Sequence, residues 1–261
     1  MHFVRLGQGR PALVFVHGFG CSHEDWNFQL KAFEKTQEVV ACDLRGHGAT
    51  PGRPQECSIE HYGGDVAALL GNLDLSQVVL VGHSMGCRVV LEAARLDPER
   101  IAGIVLVDGS RQGMGDPEAA ERNARAALEA NGYAAFMRPF FEAMFLQKSA
   151  QSEAVVERAL RLPADTGSAL FPRMARWDAG SMEAALDAVR APVLAVQCTY
   201  VNSERKRVPI QPGDTTPWLD LLKDRVKDLE VEILSGVGHF PQLEVPDRLN
   251  RLLSAFSARA R

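Results

Sequence analysis

The segment from Val78 to Leu91 contains a serine in a setting that favours nucleophilic chemistry. It reads VVLVGHSMGCRVVL, so Ser84 lies in a Gly-x-Ser-x-Gly pattern between an apolar run and a stretch of helical spacing. A strand that turns sharply into a helix projects the central side chain into open space, and flanking glycines avoid clashes at the turn. Ser84 is therefore predicted to be a reactive serine, with a capped tight turn as the structural alternative. The backbone N–H of Met85, at the start of the helix, is a predicted oxyanion donor.

The elements that must position this serine follow an alternating pattern. Short runs rich in Val, Ile and Leu alternate with segments of helical period, which is typical of parallel strands joined by crossover helices. Runs such as Ile104–Val107 are apolar throughout, as expected when helices cover both faces of the sheet. We predict an α/β fold with a mostly parallel sheet of about seven strands flanked by helices. The predicted strands are His2–Leu6, Ala12–Val16, Glu38–Cys42, Gln77–Val81, Ile101–Val107, Val193–Cys198 and Glu230–Leu234.

The strand signal stops between Arg111 and about Ala185, where Ala, Glu, Arg, Met and Phe dominate. We predict an all-helical cap at 111–185, inserted into a core formed by 1–110 and 186–261. Helical spacing is present in Glu118–Asn131, Tyr133–Gln147 and Ser152–Leu162. Helix starts or breaks are expected at Pro117, Pro139, Pro163 and Pro172.

Three further motifs accompany the serine motif. HGFG at His17–Gly20 ends the second predicted strand, DLRGHG at Asp43–Gly48 follows the third, and GHF at Gly238–Phe240 lies near the C-terminus. With the motifs in this order, the chain resembles the α/β-hydrolase fold superfamily over nearly its whole length. The resemblance points to a serine carboxylesterase-like branch with a helical cap.

This resemblance implies roles for several residues of the loops around the serine. The backbone N–H of Phe19 would be the second oxyanion donor, and His17 would brace its own loop. The side chains expected to stabilise loops, rather than to take part in the chemistry, are Asp43, Arg45 and Gly46.

A base and an acid are needed to activate the serine. Among the seven histidines, His239 follows the last predicted strand and fits the hydrolase order of nucleophile, acid and base. Most relatives place the acid after the penultimate strand, where this chain has Val201 and Asn202. A neutral Asn can orient an imidazole, but it cannot stabilise an imidazolium. The preferred acid is Asp108, at the end of its strand as in some family branches, and the alternatives are Glu204 and Asp214.

Two further features bear on the substrate. Met side chains adapt to different shapes and aromatic rings supply buried area, so an apolar pocket is predicted under the cap, with core packing as the alternative. Its candidate lining residues are Met114, Phe136, Phe140, Met144 and Phe240. The basic run Arg205–Arg207, which is flanked by Glu204 and Asp214, is interpreted as a solvated loop, with anion binding as the alternative.

The composition excludes some classes of partner. The chain has 261 residues, of which 46% are hydrophobic and 24% charged, and a net charge of -4, as in ordinary globular proteins. This charge gives no attraction to nucleic acid or membrane surfaces, so neither partner is expected. Five cysteines without a Cys-x-x-Cys pair or metal-ligand spacing indicate no metal and a reducing compartment. No secretory signal is apparent, so a cytoplasmic location is expected. We also expect a monomer or homodimer that needs no cofactor.

These observations predict a serine hydrolase that cleaves small carboxylic esters through an acyl-Ser84 intermediate, with apolar groups bound under the cap. Lactone, thioester or C–C bond hydrolysis by the same triad is the nearest alternative. A cofactor-free His/Asp oxygenase or lyase and a ligand sensor are the more distant ones. Dehalogenases and epoxide hydrolases use an Asp nucleophile, so Ser84 argues against both.

Overall fold

A seven-stranded sheet forms the centre of the protein. The computed structural model describes residues 1–202, 204 and 206–260, apart from the side chain of Asn131. The strands are β1 (Phe3–Leu6), β2 (Ala12–Val16), β3 (Val39–Cys42), β4 (Val78–His83), β5 (Ile101–Val107), β6 (Val193–Gln197), β7 (Thr199–Val201), β8 (Arg207–Pro209) and β9 (Leu229–Ile233). The sheet order is β1-β3-β2-β4-β5-β6-β9, with β1 antiparallel to β3 and all other neighbours parallel. This confirms the predicted α/β class and the mostly parallel sheet.

Helices cover both faces of this sheet. Leu13 and Val14, which are adjacent in β2, are fully buried in two separate apolar clusters, as the alternation of side chains along a strand requires. The helices are α1 (Asn27–Phe33), α2 (Ile59–Asn72), α3 (Met85–Leu96), α4 (Pro117–Asn131), α5 (Tyr133–Glu142), α6 (Ala150–Ala159), α7 (Ala164–Gly180), α8 (Met182–Asp187), α9 (Pro217–Arg225), α10 (Pro241–Glu244) and α11 (Pro246–Arg259). Among the described residues, no helix combines the length and the apolar character needed to cross a membrane.

The helices α4 to α8 form a helical insertion between β5 and β6. Helix α7, the longest of them, was not predicted, and Pro139 and Pro172 lie inside helices rather than at breaks. Each proline removes one helical N–H, but the apolar side chains around it are buried, including Met137 and Met174, and this packing outweighs the local penalty. Pro117 begins α4 as predicted. The division into core and cap domains stays a prediction.

A small hairpin follows β6 and was also not predicted. Strands β7 and β8 are three residues each and pair antiparallel, with Val201 opposite Arg207. The Asn202 side chain closes the hairpin by accepting the backbone N–H groups of Glu204 and Lys206 at 3.0 Å each. Strands this short carry too little alternation to be read from the residue pattern.

All five cysteines are buried free thiols. Trp177 and Trp218 are also buried.

A buried ion pair joins helix α3, which begins after Ser84, to α7 of the helical insertion. Arg88 Nε and Nη2 donate to the two carboxylate oxygens of Asp178, each at 2.7 Å, and the side chains are 2% and 0% exposed. Arg88 Nη2 also donates to the carbonyl of Ser110, and Asp178 accepts the backbone N–H of Gln112. The pair therefore holds the helical insertion against helix α3.

Replacing Asp178 with Asn should destabilise the protein by about 3–5 kcal/mol, because it leaves the Arg88 guanidinium buried without its counter-charge. Urea unfolding followed by circular dichroism measures this change in the free energy of unfolding. The matched control is Glu157→Gln, which removes an exposed ion pair with Arg138 and should have a much smaller effect. Equal effects of the two substitutions would contradict the conclusion that the Arg88–Asp178 pair holds the helical insertion against α3.

Candidate active site

Ser84 occupies a sharp turn between β4 and α3. Its φ of 54° and ψ of -111° lie outside the regions that non-glycine residues prefer, and its N–H donates to the carbonyl of Val107 at 2.9 Å. A Cβ atom at Gly82 would lie 2.3 Å from the carbonyl oxygen of Gly86, and one at Gly86 would lie 2.4 Å from that of Val16. Only glycine fits both positions, which explains the spacing seen in the sequence.

The structure brings the predicted nucleophile, base and acid into one hydrogen-bonded chain. His239 Nε2 lies 2.8 Å from Ser84 Oγ, and His239 Nδ1 lies 2.5 Å from Asp108 Oδ2. With Nδ1–H donating to the carboxylate, Nε2 is left to accept the serine hydroxyl proton. His239 and Asp108 are both buried. This is the arrangement in which an imidazole can take a proton from serine.

Asp108 accepts more hydrogen bonds than its contact with His239. Its Oδ1 accepts the backbone N–H groups of Cys198 and Thr199 at 2.7 and 2.8 Å. Its Oδ2 accepts the Thr199 hydroxyl at 2.5 Å and lies 3.4 Å from Arg207 Nη1. Burial alone would raise the pKa of Asp108, but the hydrogen bond and charge of His239, followed by the charge of Arg207, outweigh it and hold the pKa below its usual range. The acid is therefore a carboxylate at neutral pH.

Burial, followed by the positive charge of Arg207, outweighs the hydrogen bond and charge of Asp108 and lowers the pKa of His239 to about 4. The imidazole is therefore neutral near pH 7 and ready to accept a proton. A protonated His239 cannot accept a proton, so activity that depends on this base should be lost at low pH.

The loop that carries His239 is fixed on three sides. The His239 N–H donates to the carbonyl of Met144, in the turn after α5, at 2.8 Å. Its own carbonyl accepts from His83 Nε2 at 2.7 Å. The Glu244 carboxylate accepts the backbone N–H groups of both neighbours of His239, at 3.0 and 3.1 Å. The residue pattern predicts none of these contacts, and its one relevant signal is the position of Glu244, five residues after His239.

The alternative acids lie elsewhere. Glu204 forms an exposed ion pair with a neighbouring lysine, and Asp214 accepts a backbone N–H within its own turn. Asn202 lies at the position where most relatives have the acid, and its side chain accepts backbone N–H groups in the hairpin turn. In the described part of the chain, Asp108 is the carboxylate that is hydrogen-bonded to His239.

The interpretation of the basic run as a solvated loop is wrong for Arg207. Lys206 is exposed, and Arg205 lies outside the described residues. The Arg207 side chain, in contrast, is only 11% exposed and donates from Nη1 to the Thr199 hydroxyl at 2.6 Å. The hairpin turns this cation inward, towards Asp108, which a linear run of charges does not reveal.

The predicted oxyanion donors lie at the same cavity as the serine. Phe19 and Met85 both line it together with Ser84. Met85 is the first residue of α3, where a backbone N–H has no partner within the helix. A Cβ atom at Gly18 would lie 3.3 Å from Ser84 Cβ, so the HGFG loop packs directly against the serine.

Two hydrogen bonds fix the ring of His17. Its Nε2 accepts the backbone N–H of Leu44 at 3.0 Å, and its Nδ1 donates to the carbonyl of Gly18 at 2.7 Å. Burial, followed by the nearby His47, lowers the pKa of His17 to about 3. The ring is thus a neutral brace between two loops, as the resemblance implies.

Within the described residues, one group of side chains has ligand atoms close enough to hold a metal ion, namely His2, His23 and Asp43. The buried Asp43 carboxylate already accepts both rings through Nδ1, together with the backbone N–H groups of His23 and Ala49. These four hydrogen bonds account for the group as a loop support. Arg45 likewise serves the fold, because it forms a bidentate pair with Asp65.

The cavity at Ser84 is small. Its volume of about 20 Å³ has room for about one water molecule, whereas ligand pockets usually measure 300–1,000 Å³. Side chains of the helical insertion narrow it, among them Phe141 and Met174, which were not predicted to line it. A molecule of the size that such pockets usually hold would require some of these side chains to move.

Three of the five predicted pocket residues line this cavity, namely Phe140, Met144 and Phe240. Phe136 instead packs behind Phe140, with ring centroids 4.8 Å apart. The prediction is wrong for Met114, which is 71% exposed. Met114 lies in the irregular segment before α4, where no helix directs its side chain inward.

Ser84 lies in a sharp turn at the end of a central strand and faces a histidine from the loop after the last strand. This arrangement is characteristic of one large class of α/β proteins. The chain belongs to the alpha/beta hydrolase family, whose family model matches residues 13–252.

The chain is also similar to several individual proteins. A dihydrolipoyllysine-residue acetyltransferase component of the acetoin cleaving system of Pseudomonas putida is 26% identical over 250 residues, which cover 96% of this chain. The chain spans 64% of that protein's length. A thermophilic esterase from Thermogutta terrifontis superposes with a TM-score of 0.79 at 25% identity, covering 99% of this chain and 93% of its own. An N-acyl homoserine lactone degrading enzyme superposes with a TM-score of 0.71 at 27% identity, covering 98% and 96%.

The titration of His239 can be followed directly by NMR of the imidazole protons. The ring should gain its proton with a midpoint at about pH 4, because burial and the Arg207 charge disfavour the imidazolium. The spectrum of His239→Gln, which lacks this signal, assigns it. A midpoint near the ordinary histidine value would contradict the proposed electrostatics.

Proposed function

We propose that the protein is a serine hydrolase that cleaves small carboxylic esters through an acyl-Ser84 intermediate. The observation that carries the proposal is the chain of hydrogen bonds from Ser84 Oγ through His239 to Asp108, at 2.8 and 2.5 Å. This geometry gives the hydroxyl a neutral base and gives that base a charged partner.

In the first step, Ser84 Oγ attacks the ester carbonyl carbon while its proton moves to His239 Nε2. The carbonyl oxygen becomes an oxyanion, for which the backbone N–H groups of Phe19 and Met85 are the donors. When the tetrahedral species collapses, the C–O bond to the alcohol breaks and His239 returns the proton to the leaving oxygen. Asp108 remains a carboxylate throughout and stabilises the transient imidazolium.

In the second step, a water molecule replaces the alcohol. His239 takes one proton from the water, whose oxygen attacks the acyl carbon, and then returns the proton to Ser84 Oγ. The carboxylic acid leaves and the enzyme is restored. The narrow cavity suits this step, because it limits the number of water molecules that can reach the acyl group.

The comparisons favour ester substrates within this family. The solved structures at 25% and 27% identity are named as an esterase and as an N-acyl homoserine lactone degrading enzyme, and a lactone is a cyclic ester. Ser84, rather than an Asp nucleophile, is also the residue that an acyl intermediate requires.

A fluorophosphonate probe should label the protein at Ser84, and short p-nitrophenyl esters should be hydrolysed. Ser84→Ala should abolish labelling and reduce turnover by roughly 10⁴-fold or more, because the attacking oxygen is lost. Labelling is measured by intact-protein mass spectrometry and turnover by nitrophenolate absorbance.

The matched control is Ser254→Ala, which removes an exposed hydroxyl on α11. It should label and turn over like the wild type. Ester hydrolysis that survives Ser84→Ala at the wild-type rate would overturn the proposal.

The choice of acid is tested by Asp108→Asn. Asp108 has a φ of 47°, a conformation that Asn tolerates, so the substitution should remove the charge while keeping the backbone turn. We expect kcat to fall by roughly 10⁴-fold, because a neutral amide cannot stabilise the imidazolium.

Glu204→Gln and Asp214→Asn are the matched controls, since they neutralise the two alternative acids. Both should keep wild-type kcat in the same p-nitrophenyl ester assay. Near-wild-type turnover by Asp108→Asn would remove Asp108 from the triad.

A further inference from the structure

The cavity at Ser84 contains a largely buried cation that the ester mechanism does not require. Arg207 lines this cavity together with Ser84 and His239, and its side chain is 11% exposed. A guanidinium in such a place costs free energy through lost hydration. It also disfavours the base, because its positive charge lowers the pKa of His239 and opposes the imidazolium that forms during catalysis.

The two arginines at this cavity differ in how their donors are used. Arg88 holds Asp178 with Nε and Nη2, and it also donates to the carbonyls of Ser84 and Ser110. For Arg207, the described part of the chain provides acceptors only for Nη1, which contacts Thr199 and Asp108. The Nε and Nη2 pair of Arg207, the same pair that Arg88 uses, is therefore the one without a carboxylate.

The charges around Arg207 favour a monoanion as the missing partner. Asp108 already offsets part of the guanidinium charge, since its Oδ2 lies 3.4 Å from Nη1. The other cation at the cavity is neutralised by Asp178, and aromatic and Met side chains make up much of the remaining lining. A single planar carboxylate matches the two parallel donors of a guanidinium edge, and its one negative charge balances the imidazolium that forms on His239 during catalysis.

We propose that Arg207 binds a free carboxylate on the substrate, so that the preferred substrates are esters or lactones of acids that carry a second, ionised carboxyl group. This proposal rests on the proposed ester hydrolysis at Ser84. The bound carboxylate offsets the charge of Arg207, and Asp108 is then left to stabilise the His239 imidazolium. The substrate charge should therefore raise kcat as well as lower KM, because it acts on the proton transfer itself.

The test uses two esters that differ by one charge, mono-p-nitrophenyl glutarate and its methyl ester. Wild-type protein should favour the anionic ester by roughly tenfold or more in kcat/KM, the range of a charge-assisted hydrogen bond. Arg207→Met should remove this preference. The ratio of the two substrates within each variant cancels any general damage to the site, and the succinate and adipate analogues locate the best spacing.

Two matched variants separate recognition from charge alone. Lys206→Met removes an exposed cation from the same hairpin and should keep the wild-type ratio. Arg207→Lys keeps the charge but lacks the planar pair of donors, so it should retain only part of the preference. A merely structural Arg207 would instead lower activity on both esters by the same factor, and that result would overturn the proposal.

A binding measurement distinguishes this proposal from the proposed function. Monomethyl glutarate should bind Ser84→Ala in isothermal titration calorimetry, and the added substitution Arg207→Met should abolish binding. Wild-type turnover of both esters that depends on Ser84 but shows no preference for the anion would overturn the carboxylate site and leave ester hydrolysis intact. Binding that depends on Arg207 without any Ser84-dependent turnover would support the site and overturn the ester mechanism. Absence of binding in Ser84→Ala would overturn the site.

Discussion

Asp108 is the buried carboxylate on which the arrangement of the site depends. It accepts hydrogen bonds from the base, from two backbone N–H groups and the hydroxyl that follow β6, and from the guanidinium of β8. A buried charge is tolerated only when it is paired and fully hydrogen-bonded, so these segments must converge for the chain to fold with Asp108 ionised. The hydrogen bonds that stabilise the Asp108 carboxylate also align His239 with Ser84.

The position of this acid changes the role of the loop after β6. Where the acid sits at the end of β5, that loop no longer supplies a side chain to the imidazole. Its backbone instead donates to Asp108 through Cys198 and Thr199, and its hairpin brings a cation to the same carboxylate. The loop after β6 therefore supports Asp108 through its backbone, and it places the Arg207 guanidinium at the cavity beside Ser84.

Local patterns in the sequence sufficed for the sheet and for Ser84, which follows an all-apolar strand and is flanked by glycines. The choice of His239 and Asp108 also required the chain order of the resembled family, because other histidines and carboxylates follow predicted strands as well. Arg207 was misread because its environment depends on a hairpin whose strands are too short to show a period. The exposed Met114 and the prolines within α5 and α7 likewise depend on tertiary packing, which composition and spacing do not encode.

The hydrogen bond from the His239 N–H to the carbonyl of Met144 links the base to the helical insertion that narrows the cavity. If the turn after α5 moves aside to admit a bulky substrate, the base loses one of the contacts that orient it. The imidazole of His239 is best ordered while this hydrogen bond is intact. A substrate that displaces the helical insertion would therefore meet a less well aligned imidazole. Selection by size would consequently appear in the rate of turnover, even among esters that bind equally well.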